Sequence, residues 1–416
     1  MIADDPSGFR HVGVVFAAFA FNYFLSALLR AVVATLAPEF ARDLQLGAGD
    51  LGLLAGAYFL GFACMQLPVG QALDRYGARR VLLAYLVMAV LGCAGFALAR
   101  NFGQLVLARL LIGMGVSASL MAPLAAFVRL FDRALQLRLN SWMLMSGSLG
   151  MVASTLPVQV LLPLLGWRNL FFCLAASLIV AMMMVAALTP PDRIGNDAST
   201  VLAGRGYAGI VRHPMLVRCG PLAFFTYGGL IAVQSLWAGP WLTHVVATDP
   251  LGAARGLFVI NLSMLCSFLA WGLVMPRLAL RGIGPDLLIA RGWPLGAVVL
   301  LVIIVLGPAA GALWLALWCM CTSVITLTQS AVAQAFPKAE AGRALSAFNL
   351  MIFLGVFTCQ WGTGLTIDAF MAMGWQRPSA HRAAMALLLT GMIAAGTWYW
   401  THPWIAERKR WVAARG

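Results

Sequence analysis

Residues 12–36 read VGVVFAAFAFNYFLSALLRAVVATL, an apolar run in which Arg30 is the one charged residue. At about 1.5 Å of rise per residue, roughly 20 apolar residues cross the ~30 Å hydrocarbon core of a bilayer, so this run is long enough to span it as a helix. It exceeds the apolar core of a secretory signal, and no small-residue cleavage site follows it, so it reads as a first membrane helix. Working outward, similar runs give approximate spans 12–37, 51–70, 81–99, 105–129, 139–163, 170–188, 216–245, 255–275, 287–307, 311–335, 345–368 and 382–403. They lack the period-two alternation of a membrane barrel. Of the 416 residues, 62% are hydrophobic and only 10% charged, against roughly 25% charged in soluble domains. The expected fold class is an all-α membrane protein of twelve transmembrane helices in two six-helix bundles.

The formal net charge of +14 follows topology, and nucleic-acid binding is not expected from it. With the N-terminus placed inside, the loops and tails on that side carry 20 Lys and Arg, among them Arg75, Arg129, Arg218, Arg343 and Arg410, while the other side carries six. By the positive-inside rule both termini are expected in the cytoplasm, with the chain a multi-pass protein among the lipids of a bacterial-type inner membrane. All eight Cys fall in or beside apolar runs without metal-ligand spacing, so they read as packing residues, and neither metal nor cofactor is expected. The long polar stretch TPPDRIGNDASTVLAGRGYAGIVRHP divides the chain. The division expected is an N-terminal six-helix bundle at 1–190, a cytoplasmic linker at 191–215 and a C-terminal six-helix bundle at 216–416.

A repeat crosses this divide. GQALDRYGARRVLL after span two has Gly70, three residues, then Asp74-Arg75, and GLVMPRLALRG after span eight has Gly272, three residues, then Pro276-Arg277. Duplicated halves around a central path are the layout of many secondary transporters. The first stretch resembles motif A of the major facilitator superfamily, G-x-x-x-D-R-x-G-R-R/K, through Gly70, Asp74, Arg75, Gly77, Arg79 and Arg80. RLLIGMG, with Arg109, Gly113 and Gly115, resembles motif B, and LLGWRNLFF and KAEAGRALSAFN are similar to the approaches to helices six and eleven. The resemblance implies alternating access around a central substrate site. It also implies a conformational latch in which Asp74 engages Arg343 at the start of helix eleven and Arg129 at the end of helix four. Plain topological charge is the other reading of these residues.

A charge in mid-membrane costs about 2.5–3.5 kcal/mol unless it faces the bundle interior or water, so Arg30 is a functional candidate. Tyr23, Ser26 and Arg30 share one helical face, with Asn22 beside it. The eight residues from Arg30 to Pro38 are similar to the spacing in the anion:cation symporter and organophosphate antiporter branches, which implies an arginine that holds an anionic substrate. Arg109 matches the motif B arginine, with substrate binding and helix bracing both open. Two guanidinium forks suit a carboxylate or phosphate. Departures are equally legible. Val116 stands where the symporter branch commonly has an acid, and every carboxylate and His sits at a span end or in a loop. Coupling is left to a span-end group such as Asp50 or Asp368, to a proton carried on the substrate, to anion exchange, or to nothing. SGSLGMVASTLP also lacks the Gly-Pro signature of drug antiporters.

In the second half, TYGGLIAVQSLWAGPW places Tyr227, Gln234 and Trp241 at i, i+7 and i+14 with Trp237 between them. Thr326 and Gln329, and Asn349 and Gln360, supply polar groups in later spans. These are the other wall of a site, or interhelical glue. The chain shows no P-loop, zinc pair or buried acid/base dyad, so an enzyme is not expected. The function expected is secondary active transport of a small organic anion, coupled to H+ or a counter-anion, by a monomer. The alternatives are efflux of amphipathic compounds, or a non-transporting receptor on the same fold.

Overall fold

In the computed structural model, residues 6–191 and 207–402 are described, and among them no strand occurs. The helical spans are α1 (Val12–Leu44), α2 (Ala48–Leu73), α3 (Ala78–Leu98) and α4 (Phe102–Leu130). They continue as α5 (133–165), α6 (167–188), α7 (Pro214–His244) and α8 (Pro250–Leu278), followed by α9 (Pro285–Ala309), α10 (Ala312–Ala335), α11 (Glu340–Ala372) and α12 (Arg377–Thr401). Leu156–Leu188 is not one helix: Gly166 takes φ 69°, ψ 160°, the left-handed region, and this break separates α5 from α6. Among the described residues twelve helical spans result, the number that the hydropathy pattern predicts.

Helix ends overrun the apolar runs. The first span, predicted to stop at 37, continues through Pro38 to Leu44, and the fifth begins at Arg133, ahead of the predicted 139. Both overruns carry polar residues suited to a headgroup region, where Arg42 pairs with Glu39. Main-chain groups near lipid must still bond internally, so the helix persists where hydropathy has already fallen.

The chain divides into two compact units, Met1–Gln45 with Ala57–Val201, and Leu46–Gly56 with Leu202–Gly416. The start of α2 thus clusters with the second unit. The linker expected at 191–215 lies, over 192–206, outside the described residues.

Within the first unit α2 and α4 approach so closely that a Cβ on Gly113 would run into the carbonyl group of Tyr58, the small-residue contact by which membrane helices pack without a hydrophobic driving force. At the other end of the unit Phe96 stacks on Phe171 at 4.0 Å between centroids, and Phe40 meets Trp167 edge-on at 5.2 Å. Such pairs contribute about 0.5–1.5 kcal/mol each beyond their area. The Trp167 indole N–H also donates to Asp43 at 2.9 Å, tying α6 to α1.

Several helices are interrupted at mid-span. α4 breaks at 117–120, and α10, its counterpart six helices later, passes through a tight 3-10 turn at Ser323–Thr326. Hydroxyls cover the exposed carbonyls: Ser117 donates to Met114 O at 2.6 Å and Thr326 to Ser323 O at 2.8 Å. α7 widens twice into π-helix, at Ala223–Tyr227 and Val233–Trp237. Paired discontinuities in the two halves are how transporters expose polar backbone to a cavity, and π-turns inside α-helices are frequent at functional sites.

Candidate functional site

The first unit assembles its polar residues around Arg109, which is fully buried in α4. Its Nη1 donates to Leu29 O at 2.8 Å and its Nη2 to Arg30 O at 3.3 Å. The guanidinium lies over the Tyr58 ring of α2, 4.8 Å from the centroid, a cation–π contact worth about 2 kcal/mol when desolvated. The Tyr58 hydroxyl in turn donates to Ser26 O at 3.3 Å. One guanidinium therefore ties α4 to α1 and α2 through main-chain oxygens and a ring.

Arg30 itself is half-buried, and its guanidinium is hydrogen-bonded to the Tyr23 phenol one face-repeat earlier on α1. The Tyr23 ring packs against Gly147 of α5. Asn22 and Ser26 are fully buried, and neither the Asn22 amide nor the Ser26 hydroxyl has a hydrogen-bond partner among the described residues. Orphaned buried polar atoms cost about 1–3 kcal/mol each. Such atoms in a membrane helix mark a place where water or a ligand is wanted. The predicted set Asn22, Tyr23, Ser26, Arg30 and Arg109 thus lies in one unit, with Tyr23–Arg30 and Arg30–Arg109 brought into direct contact.

The predicted wall of the second unit separates into linked pairs. Trp237 Nε1 donates to Gln360 O at 3.1 Å, and Gln360 Nε2 donates to Ser235 Oγ at 2.9 Å, so α7 and α11 are joined there. Gln329 of α10 donates to Asn349 of α11 at 2.9 Å. Gln234 donates to Asn261 of α8 at 3.0 Å, and Trp241 Nε1 to Ala310 O at 3.0 Å. Gln360 Oε1 is buried without a partner among the described residues. Tyr227 is half-buried, whereas Gln234, Trp237 and Trp241 are buried. The expected i, i+7, i+14 alignment assumed uniform α-helix; the π-turn at Val233–Trp237 adds a residue's worth of rotation between Tyr227 and Trp241.

Of the expected latch, the Asp74 side chain lies outside the described residues. Gly77 holds φ 83° between α2 and α3, a conformation that favours glycine. Gly70 lies in α2 before it, and Arg75 and Arg80 are exposed. Arg79 bonds Ala186 O. Arg79 and Arg129 line a hollow of about 480 Å³ together with Ala78, Leu130, Thr189 and Pro190. Arg343 lies in the first turns of α11, in the second unit.

Sequence reasoning missed Tyr58, Asn261 and Ser235, whose partners come from other helices and leave no local signal. It also grouped Arg218 with loop cations. In the structure Arg218 is buried at the start of α7, 3.9 Å from the Tyr399 ring centroid and 3.8 Å from Asp286 Oδ1. Its position three residues inside an apolar run was the available clue.

Comparison with known proteins places this geometry. "Multidrug transporter MdfA" of Shigella boydii is 24% identical over 244 residues, 58% of this chain and 58% of that protein. "Putative multidrug resistance protein MdtD" of Salmonella newport is 27% identical over 173 residues, 41% of this chain and 36% of the relative. These matches span less than two thirds of the relatives' length. Among solved structures, a bacterial homolog to the human lysosomal transporter Spinster, in an inward-facing and occupied conformation, aligns at TM-score 0.76 and 15% identity, covering 94% of this chain and 96% of that one. A D-xylose-proton symporter aligns at TM-score 0.76 and 15% identity, covering 94% and 98%. The family model described as Major Facilitator Superfamily matches residues 19–359. With motif A at its turn, Arg109 at the motif B position and twelve helices in order, the chain belongs to the Major Facilitator Superfamily.

Proposed function

We propose that this chain is a secondary transporter, not an enzyme, and that its substrate is a small organic compound carrying an anionic group. The observation that carries the reading is the charge balance of the first unit. Arg30 and Arg109 lie side by side, with the Arg109 guanidinium on the Arg30 carbonyl. The sequence contains no Asp or Glu between 51 and 73, 75 and 131, or 133 and 191. Two cations at membrane depth with no carboxylate in the flanking helices favour an anion brought from outside. Arg109 is occupied by two carbonyls and a ring, which gives it the bracing role. Arg30, half-buried and steered by Tyr23, is the group that meets substrate. Asn22 and Ser26 supply unpartnered hydrogen-bonding groups on the same helix, and the second unit has its own polar set in Trp237, Gln360, Gln329 and Asn349.

A second reading, export of amphipathic compounds, is favoured by the multidrug transporters among the relatives. An amphipathic anion satisfies both. Transport proceeds by alternating access in an inner membrane, with both termini in the cytoplasm, as the basic loops favour. The test is uptake by proteoliposomes of purified protein, comparing labelled aromatic and aliphatic carboxylates and organophosphates with lipophilic cations. Preferential movement of anions supports the proposal. Movement of cations alone overturns the anionic assignment and leaves export of amphipaths, and movement of no solute overturns transport.

A further inference from the structure

The proposed site leaves coupling unassigned, and the second unit holds a titratable cluster to which no role has been given. His244, the last residue of α7, and His381, in the second turn of α12, have ring centroids 5.5 Å apart. His381 is buried, and its ring lies 6.4 Å from that of Trp237. Its Nδ1 is 2.9 Å from the Arg377 carbonyl oxygen. A carbonyl can only accept, so Nδ1 carries the hydrogen, and the lone pair of the neutral ring is on Nε2.

The charges acting on this ring are Arg377 and Asp368, and those acting on His244 are His381 and Arg377. Among the described residues, the other charged groups on the neighbouring helices lie elsewhere or have other partners. On α9 the charged residues are Asp286 and Arg291, at the far end of the helix, and on α12 the Arg382 guanidinium is turned to Ile304 O at 2.8 Å. On α8, Asp249 caps its own helix through Gly252 N and Arg255 is exposed. Asp50 accepts from Gly47 N.

Asp368 already has a partner. Its two carboxylate oxygens accept from the first amides of α2, Ala48 N at 3.0 Å and Gly49 N at 2.6 Å, where the helix N-terminus favours an anion. All these residues belong to the second unit.

We propose that His381, paired with His244, is a proton-binding site whose charge competes with the N-terminus of α2 for the Asp368 carboxylate. A proton from water bonds to the Nε2 lone pair of His381, the ring becomes an imidazolium, and no other bond is made or broken. Repulsion between two rings 5.5 Å apart limits the pair to one proton. The new cation draws Asp368 toward α12, and the first turn of α2 loses the acceptor for two of its amides. The same imidazolium stands beside Trp237, whose indole holds Gln360, so protonation is felt where α7 meets α11. In its coupling role this inference rests on the transport reading; the exchange of partners at Asp368 does not.

Hydrogen–deuterium exchange of residues 46–52, on wild-type protein in nanodiscs with exchange times scaled for the intrinsic pH dependence, separates the two. As the pH falls from about 7.5 to about 4, protection of Ala48 and Gly49 should fall roughly tenfold or more, the loss expected for a charge-assisted bond. In His381→Gln the protection should stay high across the range, and in Asp368→Asn it should be low throughout. His244→Gln leaves His381 in place and removes a ring that is neutral when His381 takes the single proton, so it should keep the transition, which also covers the case in which His381→Gln misfolds. Acid-induced loss of protection persisting in a folded His381→Gln, or disappearance of the transition in a folded His244→Gln, would overturn the proposal. In proteoliposomes His381→Gln should also lose the dependence of uptake on an imposed pH gradient. If the wild-type protein moves no solute, the transport reading fails, while the exchange experiment still decides the proton site.

Discussion

Truncating Arg30 to Ala separates the substrate contact proposed for its side chain from structural support, because the supporting bonds use other atoms. Arg109 grips the main-chain oxygens of Leu29 and Arg30, and these survive any change of the Arg30 side chain. The structural loss is the bond to Tyr23, about 1.5–3 kcal/mol for a charged partner, set against relief of a membrane charge of about 2.5–3.5 kcal/mol. These nearly cancel, so the Tm of Arg30→Ala should lie within a few degrees of wild type. A ligand anion that loses the same kind of bond should weaken by roughly 10- to 150-fold, since about 1.4 kcal/mol is tenfold. Arg30→Lys should recover little of this, because an ammonium keeps the charge but lacks the planar fork. The assay is paired: Tm by intrinsic fluorescence, and Kd for the best transported carboxylate by isothermal titration. A strongly destabilised Arg30→Ala with wild-type affinity in its folded fraction would refute the assignment, and with it the charge-balance argument for an anionic substrate.

Asp74→Asn should reduce turnover by a larger factor than it weakens substrate binding, because the motif A aspartate is expected to act on a conformational step; equal losses, measured by transport rate and Kd, would remove the latch. Gly113→Ala should fail to give folded protein in size-exclusion chromatography, since its Cβ meets the Tyr58 backbone, whereas Gly95→Ala, with its nearest neighbour at 3.8 Å, should be neutral or stabilising by up to about 1 kcal/mol. Tyr58→Phe keeps the ring under Arg109 and loses only the hydroxyl bond to Ser26 O, so it should cost about 0.5–1.5 kcal/mol, and Tyr58→Ala distinctly more; comparison of the two Tm values checks this. For topology, a cysteine at Ser199 should label from the side opposite to one at Met373, which is 72% exposed; labelling from the same side would contradict an odd number of spans between them.

The membrane fold was legible because its determinant, the length of each apolar run, is local. Gly77 and Gly166 could be read in the same way, since each sits in a turn that a side chain would strain. Arg30 and Arg109 stood out because a charge in hydrocarbon is anomalous on its own. What could not be read was the division of labour proposed for them. That depends on Tyr58 reaching Ser26 O and on the Leu29 carbonyl facing α4, which are relations between helices that hydropathy does not encode. The helix-seven stripe shows the opposite failure: it was read as one face, but the assumed constant 3.6-residue turn is interrupted by two π-segments. Span ends shifted for a related reason, because backbone hydrogen bonding continues a helix past the point where side-chain polarity suggests that it stops.

The π-turns of α7 carry a mechanical consequence. Each holds slack, a place where one residue more than the helical pitch requires has been accommodated. Deleting one residue within Val233–Trp237 would let the helix close up as regular α and turn everything beyond it by about 100° relative to Gly228. Trp241 and His244 would then face different neighbours on an otherwise intact rod. By the same geometry, slack handed along the helix rotates its outer half without breaking it, so α7 can act as a twistable shaft that its eleven companions, among the described helices, need not follow.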